Sequence, residues 1–295
     1  MSAITLKEAQ ETYLIAGEQA VSRFALAAPR RLPMGAGGVQ LSNRSGSSLE
    51  FRDHREYQAG DDLRRIDWSA YGRTDRLIVK LYREEVSPHV DIVIDGSKSM
   101  KLEGTEKLQA VLGLAAVFAG AASNAGFSHT AWLAGQACLP VEGGNARPPV
   151  WPALSFDYDG NIDESFATGR PRWRRQGMRI LISDLLWLGD PLTSLASLSR
   201  DAASVLVVQV LSSEDAAPQS RGNQRLIDSE SGQVREIFVD STALARYKAS
   251  LDRHQQSWRM ACRQIGGVMV NVIAEELVRG WSLDEFVASG VLTVL

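Results

Sequence analysis

Cysteine is scarce in this chain: Cys138 and Cys262 are the only two among 295 residues. Two thiols build neither a disulfide framework nor a four-thiolate zinc site. Lysine is scarce too, with 6 of the 32 basic residues, so arginine supplies 26. Arginine suits fixed bidentate pairing, and lysine more often serves as a solvated charge. Neither sign of charge dominates, since 32 Lys+Arg against 35 Asp+Glu give −3, which disfavours a nucleic-acid coat protein. Long hydrophobic runs are missing. The longest, Ala110 to Ala122, has 13 residues, whereas a spanning helix needs about 20, so a buried helix is expected and no membrane insertion. The first twenty residues carry Glu8, Glu11 and Glu18 and lack the basic start and apolar block of a secretory signal, so the cytoplasm is the expected location. The four histidines (54, 89, 129 and 254) show no zinc-binding spacing, and no Gly-x-Ser-x-Gly elbow is present. A zinc hydrolase and a serine hydrolase are therefore unsupported.

What is present changes texture at Pro88. Before it, residues 5–28 read as one amphipathic helix stopped by Pro29 and Pro33, and Gly35 to Gly38 read as a linker. From Arg44 to Glu85 the chain alternates in charge, with a strand expected over 76–82. After Pro88, apolar strands over 90–94, 127–133, 178–182, 204–210 and 267–273 alternate with helical segments over 105–123, 191–201 and 241–264. Continuous Val/Ile/Leu strands separated by helices predict a mostly parallel sheet buried on both faces. Hairpins are expected around Gly135-Gln136 and over 224–239, the latter turning near Ser231-Gly232. The fold class is thus α/β, a doubly wound sheet over 89–295 preceded by a helical and Arg-rich extension over 1–88. The extension holds 13 basic and 12 acidic residues and the remainder 19 and 23, so the acidic excess lies in the sheet domain.

In an open α/β sheet, ligands sit beyond the carboxyl ends of strands where strand order reverses. The strand at 90–94 runs into Asp95-Gly96-Ser97-Lys98-Ser99, and the strand at 178–182 runs into Ser183-Asp184. One carboxylate and two hydroxyls at alternate loop positions, joined by a second carboxylate, match the oxygen preference of Mg²⁺. The same Asp and Ser residues also serve as helix N-caps, and that reading stands beside the first.

Asp95-x-Ser97-x-Ser99 with Asp184 resembles the metal-ion-dependent adhesion site (MIDAS) of von Willebrand factor A domains. Upstream, Arg55-Glu-Tyr57-Gln-Ala-Gly60-Asp61-Asp62-Leu-Arg64-Arg65-Ile66-Asp67-Trp68, followed by Lys80, resembles the bacterial family catalogued as domain of unknown function fifty-eight. Over roughly residues 35 to 275, this resemblance implies a von Willebrand-type domain acting beside a MoxR-type AAA+ ATPase in chaperone-like assembly or remodelling of a protein client. It implies a non-enzymatic interaction module whose ion is Mg²⁺, with Mn²⁺ or Ca²⁺ as alternatives, and keeps a position open for an acidic partner residue. One departure concerns the family's threonine, whose place Ile162 takes in Asp159-Gly160-Asn161-Ile162-Asp163. Asp163, Asp159 or a water is then the substitute ligand, or the site is degenerate.

The Arg/Asp string from 44 to 83 has eight arginines and seven acids. It reads as an ion-pair network with Tyr57 and Trp68 as packing anchors and Arg64, Asp67 and Trp68 buried. A docking or phosphate-binding surface is the alternative reading. Arg170-Pro-Arg172-Trp173-Arg174-Arg175 reads as a solvated loop, or else as a nucleic-acid contact with Trp173 stacking on a base. Two other functions stay open: a metal-dependent phosphoesterase using Asp95 and Asp184, and a nucleic-acid accessory protein using the arginines of 170–179.

Overall fold

The computed structural model describes residues 6–28, 49–58, 61, 63–84, 88–219, 221–228 and 232–295. Two compact units emerge, Met1–Leu32 with Pro88–Leu295, and Pro33–Ser87. The cut at Pro88 follows the change of texture. The first helix differs from expectation, because it belongs with the sheet domain and not with the extension.

In chain order the elements are α1 (Leu6–Ala20), β1 (Phe24–Leu26), β2 (Leu49–Glu56), α2 (Trp68–Thr74) and β3 (Ile78–Glu84). Then come β4 (His89–Asp95), α3 (Lys107–Asn124), β5 (Ser128–Ala134), β6 (Cys138–Pro140), α4 (Ile162–Gly169), β7 (Met178–Ser183) and α5 (Pro191–Ser199). The chain continues with β8 (Ser204–Leu211), α6 (Ser213–Ala216), β9 (Gly222–Ile227), β10 (Val234–Val239) and α7 (Ser241–Gln264). It ends with β11 (Val268–Ile273), α8 (Ala274–Gly280), α9 (Asp284–Ala288) and β12 (Leu292–Val294).

The larger unit is built on a six-stranded sheet of order β11-β8-β7-β4-β5-β6. All neighbours are parallel except the β5–β6 hairpin. Alternate side chains of β4 serve two cores: Ile92 and Ile94 face α3, while Val93 faces the side of α4, α5 and α7. A two-sided sheet explains why these strands are nearly continuous runs of Val, Ile and Leu. From β4 the chain goes to β5 on one side and returns to β7 on the other. The carboxyl end of β4 is therefore the topological switch point.

Helix α3 is apolar all round because it is a middle layer, packed on the sheet and covered by α1. The two helices touch backbone to backbone at Gly17 and Gly113, where any Cβ on Gly17 would collide with the Gly113 carbonyl. Gln10 of α1 fastens this layer, donating from Nε2 to the Leu154 carbonyl and accepting the Leu154 amide at Oε1, both at 2.8 Å. The helix expected over 5–28 stops at Ala20, and Phe24–Leu26 instead form β1, antiparallel to β12 at the far end of the chain. That pairing partner lies about 270 residues away, beyond the reach of any local pattern.

The smaller unit contains an antiparallel pair, β2 and β3, with a register shift between Phe51 and Asp53, and the short helix α2. Among the described residues, no helix is long and apolar enough to cross a membrane.

Candidate functional site

Asp95 ends β4 and Asp184 follows β7, which places both carboxylates at the carboxyl edge of adjacent central strands. Asp95 is buried, and its Oδ1 accepts the Ser97 amide at 2.9 Å while Oδ2 accepts the Ser183 hydroxyl at 2.6 Å. The Ser97 and Ser99 hydroxyls lie 3.0 Å apart, so the two side chains converge as the alternate spacing predicts. The loop is fixed by the backbone: Gly96 donates to the Ala134 carbonyl, and residues 96–98 exchange hydrogen bonds with Tyr158. Asp184 Oδ1 accepts the Leu186 amide at 3.0 Å. Leu185, buried between them in sequence, holds a left-handed φ of 59°. Such a conformation costs energy for a branched residue and is kept where surroundings enforce it.

These residues share one cavity of about 150 Å³, lined by Asp95, Ser97, Ser99, Lys107, Asp184 and Asp215, with Asp228 and Trp187 also contributing. Among the described residues, four carboxylates therefore face a single ammonium. Burial, reinforced by the charge of Asp184, pushes the Asp95 carboxyl up to about 6. Lys107 is fully buried and donates to Asp184 Oδ2 at 2.8 Å, with Asp215 Oδ2 at 3.3 Å. Burial opposes its charge, but Asp184 and Asp215 outweigh that and hold its pKa above the ordinary lysine value. Asp215 also completes a capping box with Ser212 at the start of α6. Lys107, Ser183 and Asp215 are not marked by the sequence pattern. The available signal was a lysine at the head of an otherwise apolar helix.

Two carboxylates and two hydroxyls form a hard oxygen set, and the net negative lining favours a cation, so the residues fit a Mg²⁺-like ion. No group of three or more His, Cys, Asp or Glu converges on a metal position among the described residues. An ion here would depend on the serine hydroxyls. Asp163, the tentative further ligand, is held elsewhere: it accepts a hydrogen bond from Ser194 of α5 and does not line the cavity. Asp159 pairs with Lys98. Ile162 is buried in the core as the first residue of α4 and brings no oxygen donor. Asn161, which caps α4 through Glu164, is the residue of that loop that reaches the cavity beside Gly160.

In the smaller unit, a charge network forms around Asp67, which is buried as expected. Asp67 is its hub: Oδ1 accepts the Ser69 and Ala70 amides at 3.0 Å, and Oδ2 meets His54 Nε2 at 3.0 Å and Lys80 Nζ at 3.5 Å. Arg55 pairs with Asp61 at 2.8 Å, and Asp61 also accepts the Gln58 amide. Tyr57 is half-buried and its amide bonds the Leu77 carbonyl. Arg64 and Trp68 are exposed, Trp68 at 63%, where burial was expected. Charge density predicts pairing, but it says nothing of which ring turns inward. Trp68 instead stands edge-on to Tyr71, centroids 6.2 Å apart. Gly60 lies outside the described residues.

The Ala70 amide, followed by His54 and Lys80, holds the Asp67 carboxyl down to about 2, against the opposing effect of its burial. A depressed carboxyl stabilises the fold above its unfolded value of about 3.9, and that contribution is lost as pH falls through the folded value. The Ala70 amide resonance should therefore titrate with a midpoint near 2 and lose that titration in Asp67→Asn. A midpoint near 4 would show that the cap is not formed.

The basic loop before β7 is also taken up differently from the nucleic-acid reading. Trp173 packs edge-on against Phe166 and Trp132, with Arg179 lying 4.9 Å over its ring. Arg179 is buried and donates to the Leu198 and Arg200 carbonyls. Both side chains are engaged within the domain, Arg179 buried and Trp173 partly exposed.

Among curated proteins, the chain is similar to "Uncharacterized protein Rv1480" of Mycobacterium tuberculosis (strain ATCC 25618 / H37Rv), 28% identical over 269 residues, covering 85% of this chain and 83% of that protein. The same values hold for "Uncharacterized protein Mb1516" of Mycobacterium bovis. Solved structures with some likeness are BatB from Bacteroides thetaiotaomicron (TM-score 0.34, 13% identity, 65% of this chain and 96% of that one). A second is an aerotolerance-related membrane protein from Bacteroides fragilis (TM-score 0.37, 13% identity, 65% and 95%). The model of the family described as "Protein of unknown function DUF58" matches residues 53–257, from the Arg/Asp string through both Asp-bearing strand ends. A match over that much of the chain settles its membership: this protein belongs to the DUF58 family.

Proposed function

We propose that the chain is a non-enzymatic, cytoplasmic protein-interaction module of von Willebrand factor A type. In this reading it works beside a MoxR-type AAA+ ATPase in assembly or remodelling of a protein client. The observation that carries the reading is the convergence of Asp95, Ser97, Ser99 and Asp184, from two adjacent strand ends, on one acidic cavity at the switch point of the sheet. Mg²⁺ bound there would supply an open coordination position for a partner carboxylate. The chain's own residues do the rest. Ser183 and the Ser97 amide fix the Asp95 carboxylate, the Ser97 and Ser99 hydroxyls point together, and Gln209 Nε2 secures the Asp184 carbonyl at 2.8 Å. Two buried free thiols support a reducing compartment.

The test is capture of the ATPase by the immobilised chain in Mg²⁺, in chelator, and with Asp95→Ala. Capture should be abolished in chelator and in the variant, with circular dichroism confirming that the variant is folded. Equal capture in all three arms would sink the ion-mediated mechanism. Turnover of simple phosphate esters with Mg²⁺ or Mn²⁺ would instead favour a phosphoesterase.

A further inference from the structure

Among the described residues, Lys107 is the one ammonium lining the acidic cavity, and it is fully buried. Its 2.8 Å bond to Asp184 Oδ2 uses the same carboxylate that would face an ion from the end of β7. Its second contact, Asp215 Oδ2 at 3.3 Å, links that carboxylate to the capping box of α6. Asp184 Oδ1 is already taken by the Leu186 amide. Oδ2 is therefore the oxygen for which the ammonium and an incoming cation would contend.

We propose that Lys107 is a resident cation that competes with a divalent ion for Asp184, so that the charge at position 107 sets how tightly the site binds its ion. Lys107 is thus a positioning and affinity-setting residue, and the inference rests on the ion-binding reading above. A unit positive charge fixed in the same buried cavity repels a divalent ion and neutralises part of the carboxylate charge that attracts it. The wild-type site should bind its ion weakly and become strongly filled only when other negative charge, such as a partner carboxylate, enters the cavity.

Lys107→Gln removes the charge and keeps an amide donor for Asp184. Mn²⁺ binding, read by electron paramagnetic resonance of the free ion, is measured for wild type, Lys107→Gln, and each combined with Asp95→Ala. Lys107→Gln should bind Mn²⁺ at least about tenfold more tightly than wild type, and Asp95→Ala should abolish that gain. A merely structural lysine would leave affinity unchanged or lower it, and that result in a wild type that does bind overturns the inference alone. Binding by Lys107→Gln but not by wild type supports the inference and overturns ion dependence of the wild-type module. Binding by neither overturns both. If Lys107→Gln is unfolded without ion, Mn²⁺ is expected to restore its fold, because the ion replaces the missing charge. A variant that stays unfolded in saturating Mn²⁺ would contradict the competition.

Discussion

Replacing Lys107 by Ala should destabilise the larger unit by about 3–5 kcal/mol, the usual consequence of breaking one side of a buried ion pair. The side chain is 1% exposed and Asp184 is 5% exposed, so the orphaned carboxylate has little water to fall back on. Asp215, 21% exposed, loses its partner as well. The value is read from the shift in urea midpoint at constant slope. Combining Lys107→Ala with Asp184→Asn should give much less than the sum of the two single losses, because the double variant leaves no unpaired charge between them. Additive losses would mean that the lysine acts through packing of its methylenes alone.

The second large effect is expected at Gly17. A Cβ there would overlap the carbonyl oxygen, carbonyl carbon and Cα of Gly113, all backbone atoms that no rotamer change can move aside. Gly113 is confined from another direction by the Trp281 ring, which a Cβ on residue 113 would strike. Gly17→Val must therefore push α1 off α3, parting Leu14 and Val21 from the core and straining the two Gln10–Leu154 bonds. Overpacking of this kind costs about 1–3 kcal/mol, and backbone contact places Gly17→Val at or above the top of that range. Faster proteolysis within α1 should accompany the loss. Gly135→Ala, where a Cβ meets no atom within 4 Å, is the neutral control. Equal melting of both variants would refute the close helix crossing.

The sheet domain was legible because its strands are buried on both faces. The expected strands 90–94, 178–182 and 204–210 sit inside β4, β7 and β8, and α7 spans Ser241–Gln264 as the periodicity indicates. Both expected strand pairs also form, although Ser231 of the second turn lies outside the described residues. What periodicity cannot carry is the identity of a distant partner. The pairing of β1 with β12 and the seating of α1 on α3 are both long-range, so the first helix looked like part of the extension. The cavity was legible as far as Asp95 and Asp184, each of which follows a strand, and the serines at alternate positions after Asp95. Lys107 escaped because a charge in the first turn of a helix normally faces water, and only the meeting of two loops turns it inward. Arg64 and Trp68 failed for a related reason: alternating charge specifies pairing, while Asp67 took the buried capping position that fixes α2.

Asp95, Ser97, Ser99 and Asp184 are the ligands of the proposed divalent-cation site. Calorimetric titration of the full chain with Mg²⁺, beside the folded Asp95→Ala variant, tests it most directly. A saturable single-site isotherm in the wild type that disappears in the variant is the predicted result. A wild type without a binding isotherm, or a variant that binds with the same affinity, would contradict it.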